Sequence, residues 1–212
     1  MNNFGLVVIG AHSGTWLISL LEKYNDKNIL LVEPVPYNIK QLIENTSKYK
    51  NINIETSAVS SKKGAQNFYF VKPESVKKLG KHWASGIGSF DKQHILNHAN
   101  KRFIVTDSDI EEIQIQYLTF LDLIEKYSIS SIDMLQIDVE GAEFEILNSI
   151  DFNQILIKKV IFEFKHFDGT FKDGPKLKLI KKKLINSNYL LTQIDKENIL
   201  AKKNSPIFDL AE

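Results

Sequence analysis

The 212 residues carry 43% hydrophobic and 25% charged side chains and a formal net charge of +1. That balance suits one globular domain with its own core, expected over 1–212, and supplies no global field to recruit nucleic acid or an anionic membrane. The chain has no cysteine, which excludes a disulfide scaffold and cysteine chemistry and favours a reducing compartment.

No apolar run approaches the ~20 residues of a membrane-spanning helix. Met1-Asn2-Asn3-Phe4-Gly5 leads straight into an apolar run without a basic leader, so the expected location is the cytoplasm. Leu6-Val7-Val8-Ile9 has the character of a buried parallel strand. It ends in Gly10-Ala11-His12-Ser13-Gly14, and Thr15 opens a helix expected to place Trp16, Leu17, Leu20 and Leu21 on one face. Strand, glycine loop, helix is a layout that brings backbone N–H groups and a helix N-terminus close to a ligand. The spacing G-x-x-x-G is not the dinucleotide fingerprint; alone, the loop reads equally as a ligand cradle or a bare turn. Residues 28–32 form the second expected strand, ending at Glu33-Pro34. An acid there, ~20 residues beyond a glycine loop, suits recognition of ribose hydroxyls. Pro34 and Pro36 stop the strand and start a helix to about Lys48. Residues 51–55 read as a third strand. The small Ser57-Ala58-Val59-Ser60 at its end would let a flat ring approach the backbone. After a turn at Gly64, residues 66–71 read as the added strand of a hairpin.

Residues 72–100 break this rhythm. Lys72, Lys77, Lys78, Lys81 and His82 make the segment basic, and Trp83 with Ser85-Gly86-Ile87-Gly88-Ser89 reads as a long loop. Loops of that length in compact domains are functional or mobile. The expectation is a lid or substrate insert over about 65–116, with Trp83 as lid anchor or substrate platform. Short strands are expected at 103–106 and 113–115. Phe120, Leu121, Ile124 and Tyr127 mark a helix before the central strand. That strand, in Met134-Leu135-Gln136-Ile137-Asp138-Val139-Glu140-Gly141-Ala142-Glu143, stops on Asp138. A tight turn with Glu140 and Gly141 follows, then a helix over Ala142, Phe144, Ile146 and Leu147. In open α/β sheets, ligands bind just outside the carboxyl ends of the strands, which is where Asp138 and Glu140 lie. A helix N-terminus also favours acids such as Glu140 and Glu143 by its dipole alone. Residues 159–164 form the next expected strand, and its Glu163 must be paired or hydrogen-bonded if buried. Lys165-His166 stand at its end. A helix over 176–185 turns Leu177, Ile180 and Leu184 inward, leaving Lys181-Lys182-Lys183 as a solvated face. Residues 189–194 and 207–210 are expected to close the sheet as an antiparallel pair.

Three strand ends thus converge on a place that fits an adenosine-containing ligand. Through Val7 to Gly14, Leu30 to Pro34, Ser57 to Ser60 with Gly64, Ser85 to Phe90, Thr119-Phe120-Leu121-Asp122, the D-V-E-G-A-E run at 138–143 and Glu163-Phe164-Lys165-His166, the chain resembles the FkbM-type methyltransferases. These are a branch of the S-adenosylmethionine-dependent class I methyltransferases. The resemblance implies an α/β, doubly wound, mostly parallel seven-stranded sheet with one antiparallel strand, helices on both faces and an inserted hairpin and loop region. It implies S-adenosylmethionine as cofactor and O-methylation of a sugar or related small-molecule acceptor; the net charge of +1 leads to the expectation of no nucleic-acid partner. By position, Gly10, Ala11, His12, Ser13 and Gly14 would cradle the methionine part. Glu33 with Pro34 would take the ribose, and Ser57 with Ala58 the adenine edge. Asp138, which also borders the cofactor, and Glu140 would line the transfer site opposite Glu163 and His166, with Trp83 and Ser85 near the acceptor.

The chain departs from the family pattern at Val8, where an acid usually helps hold the cofactor's ammonium, at His12 in place of Asn, and at Gln136 in place of Lys. His12 is a mild change, because His, like Asn, is enriched at positive φ. By intrinsic pKa His166 is the best-suited base, ahead of Asp138 and Glu163. No metal is required, and a divalent cation held by Asp138, Glu140, Glu163 and His166 is the alternative. His82, His94 and His98 receive no role. Two other functions compete: a non-catalytic binding module on the same fold, suggested by Val8, and a nicotinamide-dependent reductase, against which the missing middle glycine argues.

Overall fold

The computed structural model describes residues 2–80, 82–97, 104–139, 141–169 and 173–204; of His82 and Trp83 it describes only the backbone. β1 (Asn2–Ile9) is buried from Phe4 onward. It alternates its side chains between two cores: Phe4, Val7 and Ile9 face one, Leu6 and Val8 the other. That two-faced burial is why the run is apolar without alternation. A 3-10 turn (Thr15–Leu17) leads into α1 (Ile18–Lys23). The tighter turn shifts the phase of the helix, so Leu17 and Leu21 are buried while Trp16, expected on the same face, is 42% exposed. β2 (Asn28–Val32), α2 (Pro36–Thr46) and β3 (Ile52–Glu55) follow as expected.

Next comes a second sheet. β4 (Ala58–Val59) and β5 (Gly64–Val71) precede α3 (Pro73–Leu79); a 3-10 turn at His82–Gly86, β6 (Gly88–Ser89), α4 (Lys92–Asn97) and β7 (Ile110–Leu118) complete it. Its strand order is β4-β7-β5-β6. The strand expected at 103–106 is not formed over 104–106, and residue 103 lies outside the described residues. Instead the Thr106 N–H and hydroxyl donate to Asp109 Oδ2 (3.0 and 2.7 Å), closing a 3-10 turn at Asp107–Asp109. A local polar cap outcompetes extension there. The strand expected at 113–115 is the middle of β7.

The chain then returns to the main sheet with α5 (Phe120–Lys126), β8 (Ile129–Ile137), α6 (Glu143–Ser149), β9 (Leu156–Glu163), α7 (Pro175–Asn186), β10 (Tyr189–Gln193) and β11 (Asn198–Lys203). The order is β10-β11-β9-β8-β1-β2-β3. Among the described residues only β11 runs against the rest, as expected of a doubly wound sheet with one antiparallel strand. Residues 207–210, expected to pair with the strand at 189–194, lie outside the described residues; the partner of β10 is β11. One face packs on α5, α6 and α7 through Leu123, Ile146, Leu177, Ile180 and Leu184. The other packs on α1 and α2 through Leu21 and Leu42. No helix among the described residues is long and apolar enough to cross a membrane.

Candidate active site

The carboxyl ends of β1, β2 and β8 are tied together by backbone. Asp138 N–H donates to the Ile9 carbonyl (2.9 Å), and the Gly10 and Ala11 N–H groups donate to the Val32 carbonyl (3.0 and 2.9 Å). Gly10 has φ +94, and a Cβ there would sit 1.7 Å from the Asp138 carbonyl oxygen, so only glycine lets the two strand ends meet. His12 takes the left-handed φ of 52. Its N–H donates to Glu33 Oε2 (2.9 Å), while Glu33 Oε1 accepts from the Val35 N–H (2.9 Å) and Asn38 Nδ2 (3.4 Å). The Gly14 N–H returns to the Ala11 carbonyl (3.1 Å). The amides of residues 10, 11, 12 and 14 are thus engaged within the protein. The loop meets a ligand by its shape, not as the row of free donors that its layout suggested.

Glu33 is 5% exposed. Burial pushes its carboxyl up to about 7, against the lowering effect of the N–H donors from Val35, His12 and Asn38. Above these strand ends lies a cleft of about 820 Å³, into which Glu33 faces. Of the residues designated from sequence, Gly10, His12, Glu33, Pro34, Ala58 and Asp138 line it. Ala11 and Ser13 are buried. A Cβ on Gly14 would meet Leu42 at 2.6 Å, so that residue serves packing of the loop on α2. The Ser57 N–H turns back to Glu55 Oε1 (2.9 Å). Ser85 bridges the two sheets: its hydroxyl lies 2.7 Å from His12 Nε2, and its carbonyl accepts from Asn38 Nδ2 (2.9 Å) and the Tyr37 hydroxyl (3.3 Å). Glu140 and the Trp83 side chain lie outside the described residues. Val8 is fully buried in the core with Leu17 and Leu21, so this position adds no polar group to the cleft.

Beside Asp138 the turn into α6 is shaped by Glu143. This acid is 1% exposed, and its carboxylate accepts from the Val139 N–H (2.8 Å) and the Gly141 N–H (3.0 Å). Asp138, Glu143 and Glu163 each bring a carboxylate oxygen within 4.8 Å of the others. These are the groups that could hold a divalent cation, although Glu143 is already committed to the turn. Lys165 Nζ stands 3.9 Å from Glu163 Oε1.

Several lining residues were not designated as site residues from sequence. Trp16 and Glu145 are two. Phe68 and Phe90 are another pair, edge to face at 5.2 Å, brought together by β5 and the β6–α4 connection. His94 on α4 also lines the cleft, and its ring stands edge to face with His166 at 5.6 Å. His166 and Glu163 lie at the end of β9 and are not among the lining side chains.

Residues 9–194 match the family model described as the methyltransferase FkbM domain. No curated protein matches the chain. Solved structures match along nearly its whole length at low identity. The fibrillarin pre-rRNA processing protein of Methanococcus jannaschii has a TM-score of 0.49 at 11% identity, over 95% of this chain and 67% of that one. A putative methyltransferase from Streptococcus mutans in complex with SAH has 0.48 at 9%, over 96% and 89%. Precorrin-6y C5,15-methyltransferase from Geobacter metallireducens has 0.44 at 12%, over 96% and 82%.

Proposed function

We propose, on the premise that this chain belongs to the FkbM methyltransferase family, that it transfers the methyl group of S-adenosylmethionine to a hydroxyl of a sugar or related small molecule. The family is S-adenosylmethionine-dependent, and the cleft fits that cofactor. Its volume of about 820 Å³ lies in the range of small-molecule sites. Glu33, at the end of β2, can accept from both ribose hydroxyls. Ala58, Phe68 and Phe90 give the cleft apolar lining for the adenine ring. With Val8 in the core, Asp138 is the cleft carboxylate on the loop side that can receive the ammonium. The observation that carries the reading is that Glu33 and Asp138, from two strand ends, line one cleft on either side of the glycine loop.

S-Adenosylmethionine bound there would supply an electrophilic methyl group on a sulfonium. The chain's part is to align the acceptor oxygen and exclude water, worth roughly 7–11 kcal/mol, and to receive the hydroxyl proton, worth about 10²–10⁴-fold. Of the three bases expected from sequence, Asp138 lines the cleft and Glu163 and His166 do not, so in this reading the proton leaves toward the wall of the cleft near Asp138. The second sheet, which spans the expected insert, contributes the acceptor side through Asp91 and His94.

Calorimetric titration with S-adenosylmethionine and S-adenosylhomocysteine, followed by label transfer to a panel of methyl glycosides, tests this. Micromolar binding of both and label on a glycoside are expected. Failure of the folded protein to bind either would favour the non-catalytic module instead. Binding without label on any glycoside would reject the sugar acceptor.

A further inference from the structure

We propose that His94, carried into the cleft by α4 of the second sheet, is the group that takes the proton from the acceptor hydroxyl, and that His166 positions it. The assignment rests on the methyltransferase reading above. Ile95 is buried against the core of the second sheet, and this fixes the roll of α4. Asp91 fixes its start, accepting the Gln93 N–H on Oδ1 (2.9 Å) and the His94 N–H on its carbonyl (3.1 Å). His94, one residue before Ile95, is thereby aimed across the cleft onto the turn after β8. There Gly141 has φ +115, and a Cβ on it would come 3.2 Å from His94 Cε1. His166 meets the same ring edge to face at 5.6 Å, a geometry that holds both ring planes. Of the two imidazoles, His94 lines the cleft beside Asp138 and His166 does not. The imidazole that can touch an acceptor therefore belongs to the second sheet, and the one at the end of β9 stands behind it.

The chemistry suits this division. Imidazole has an intrinsic pKa near 6.5 and is largely neutral at pH 7, while Asp138 is used for the ammonium. The acceptor hydroxyl passes its proton to a ring nitrogen of His94 as its oxygen bonds to the methyl carbon. The carbon–sulfur bond breaks with its electron pair left on sulfur, giving a neutral thioether. The imidazolium then returns the proton to water. The charged groups lining the cleft with His94 are Glu33, Asp91, Asp138 and Glu145; Glu143 and Glu163 each bring a carboxylate oxygen within 4.8 Å of Asp138, and Lys165 Nζ stands 3.9 Å from Glu163 Oε1.

The test uses His94→Gln, His94→Phe and His166→Gln, with S-adenosylhomocysteine affinity, the pH profile of label transfer to the methyl glycoside panel, and histidine ring NMR. His94→Phe keeps the ring against His166 but cannot accept a proton. Both His94 variants should bind S-adenosylhomocysteine like the wild type. They should lose about 10²–10⁴-fold in kcat together with the rise in rate through the imidazole range. His166→Gln should keep that rise but move it, with a smaller loss. In the wild type, the His94 ring signal should shift when an accepted glycoside is added with S-adenosylhomocysteine present. A His94 variant with wild-type kcat and an unchanged profile would overturn the assignment, as would a ring signal that the glycoside leaves in place. No cofactor binding or no label transfer by the wild type would overturn the reading beneath it, and the assignment with it.

Discussion

Glu33 joins the glycine loop to the start of α2 through one carboxylate, with the His12 and Val35 N–H groups on its two oxygens. From its place after an apolar run the acid reads as a candidate for the proposed ribose contact. Its tie to the loop was not legible, because that depends on where the loop returns in space. Burial lifts this carboxyl to about 7, well above its ordinary value near 4.3, so the folded state binds a proton that the unfolded state releases. Its contribution to stability is therefore most favourable below about pH 4 and falls as pH rises toward 7. Relative to Glu33→Gln, which does not titrate, the wild type should lose roughly 2–3 kcal/mol of stability between pH 5 and 8. Urea denaturation of both proteins at the two pH values measures the difference, and parallel behaviour would contradict a raised pKa. Val8 shows the same limit of sequence reading. A family comparison marks the position as chemically altered, but strand alternation directs its side chain into the core.

α7 shows how an element can be legible while its start is not. The spacing of Leu177, Ile180 and Leu184 predicts both the helix and its buried face, and all three are buried. Its first turn has Gly174 at the N-cap and Pro175 next, with no side-chain bond from the cap itself. The orphan N–H groups of Lys176 and Leu177 are taken instead by Asp168 Oδ1 and Oδ2 (2.9 and 3.0 Å). A Cβ on Gly174 would stand 2.4 Å from the Asp168 Cγ, so the glycine makes room for this remote cap. From sequence, Asp168 reads as a loop residue, since cap patterns assume a local acceptor. Asp168→Ala should lower the urea midpoint, as loss of an ordinary cap does. A urea midpoint equal to wild type would show that water caps α7 as well. α5, by contrast, carries its capping box in nearby residues, Thr119 and Asp122, and its start was legible.

At the scale of the molecule, the cleft lies between the main sheet and the second sheet, with Ser85 bonded to His12, Asn38 and Tyr37 across the join. A ligand held by both sheets binds the native state alone and stabilises it by mass action. S-Adenosylhomocysteine at about 100 times its Kd should add about 2.7 kcal/mol and raise Tm by about 5–10 °C. Differential scanning fluorimetry reads this directly, and an unshifted Tm at that excess would argue against binding in the folded cleft.

The sequence by itself determined most of the main sheet, because β1, β2 and the later halves of β8 and β9 are apolar stretches that stop at a glycine or an acid; β11, which pairs with β10 and β9, was not legible. The sequence also marked Gly10, Glu33 and Asp138, since residues at strand ends share one edge in any doubly wound sheet. Only the tertiary structure decided the second sheet, where β5 and β7 pair with Val71 opposite Ile110 and no local pattern specifies the partner. It alone decided that the loop amides turn inward, that Val8 belongs to the core, and that His94 meets His166 and Gly141. Those facts follow from register and from the packing of distant elements, which one-dimensional spacing does not encode.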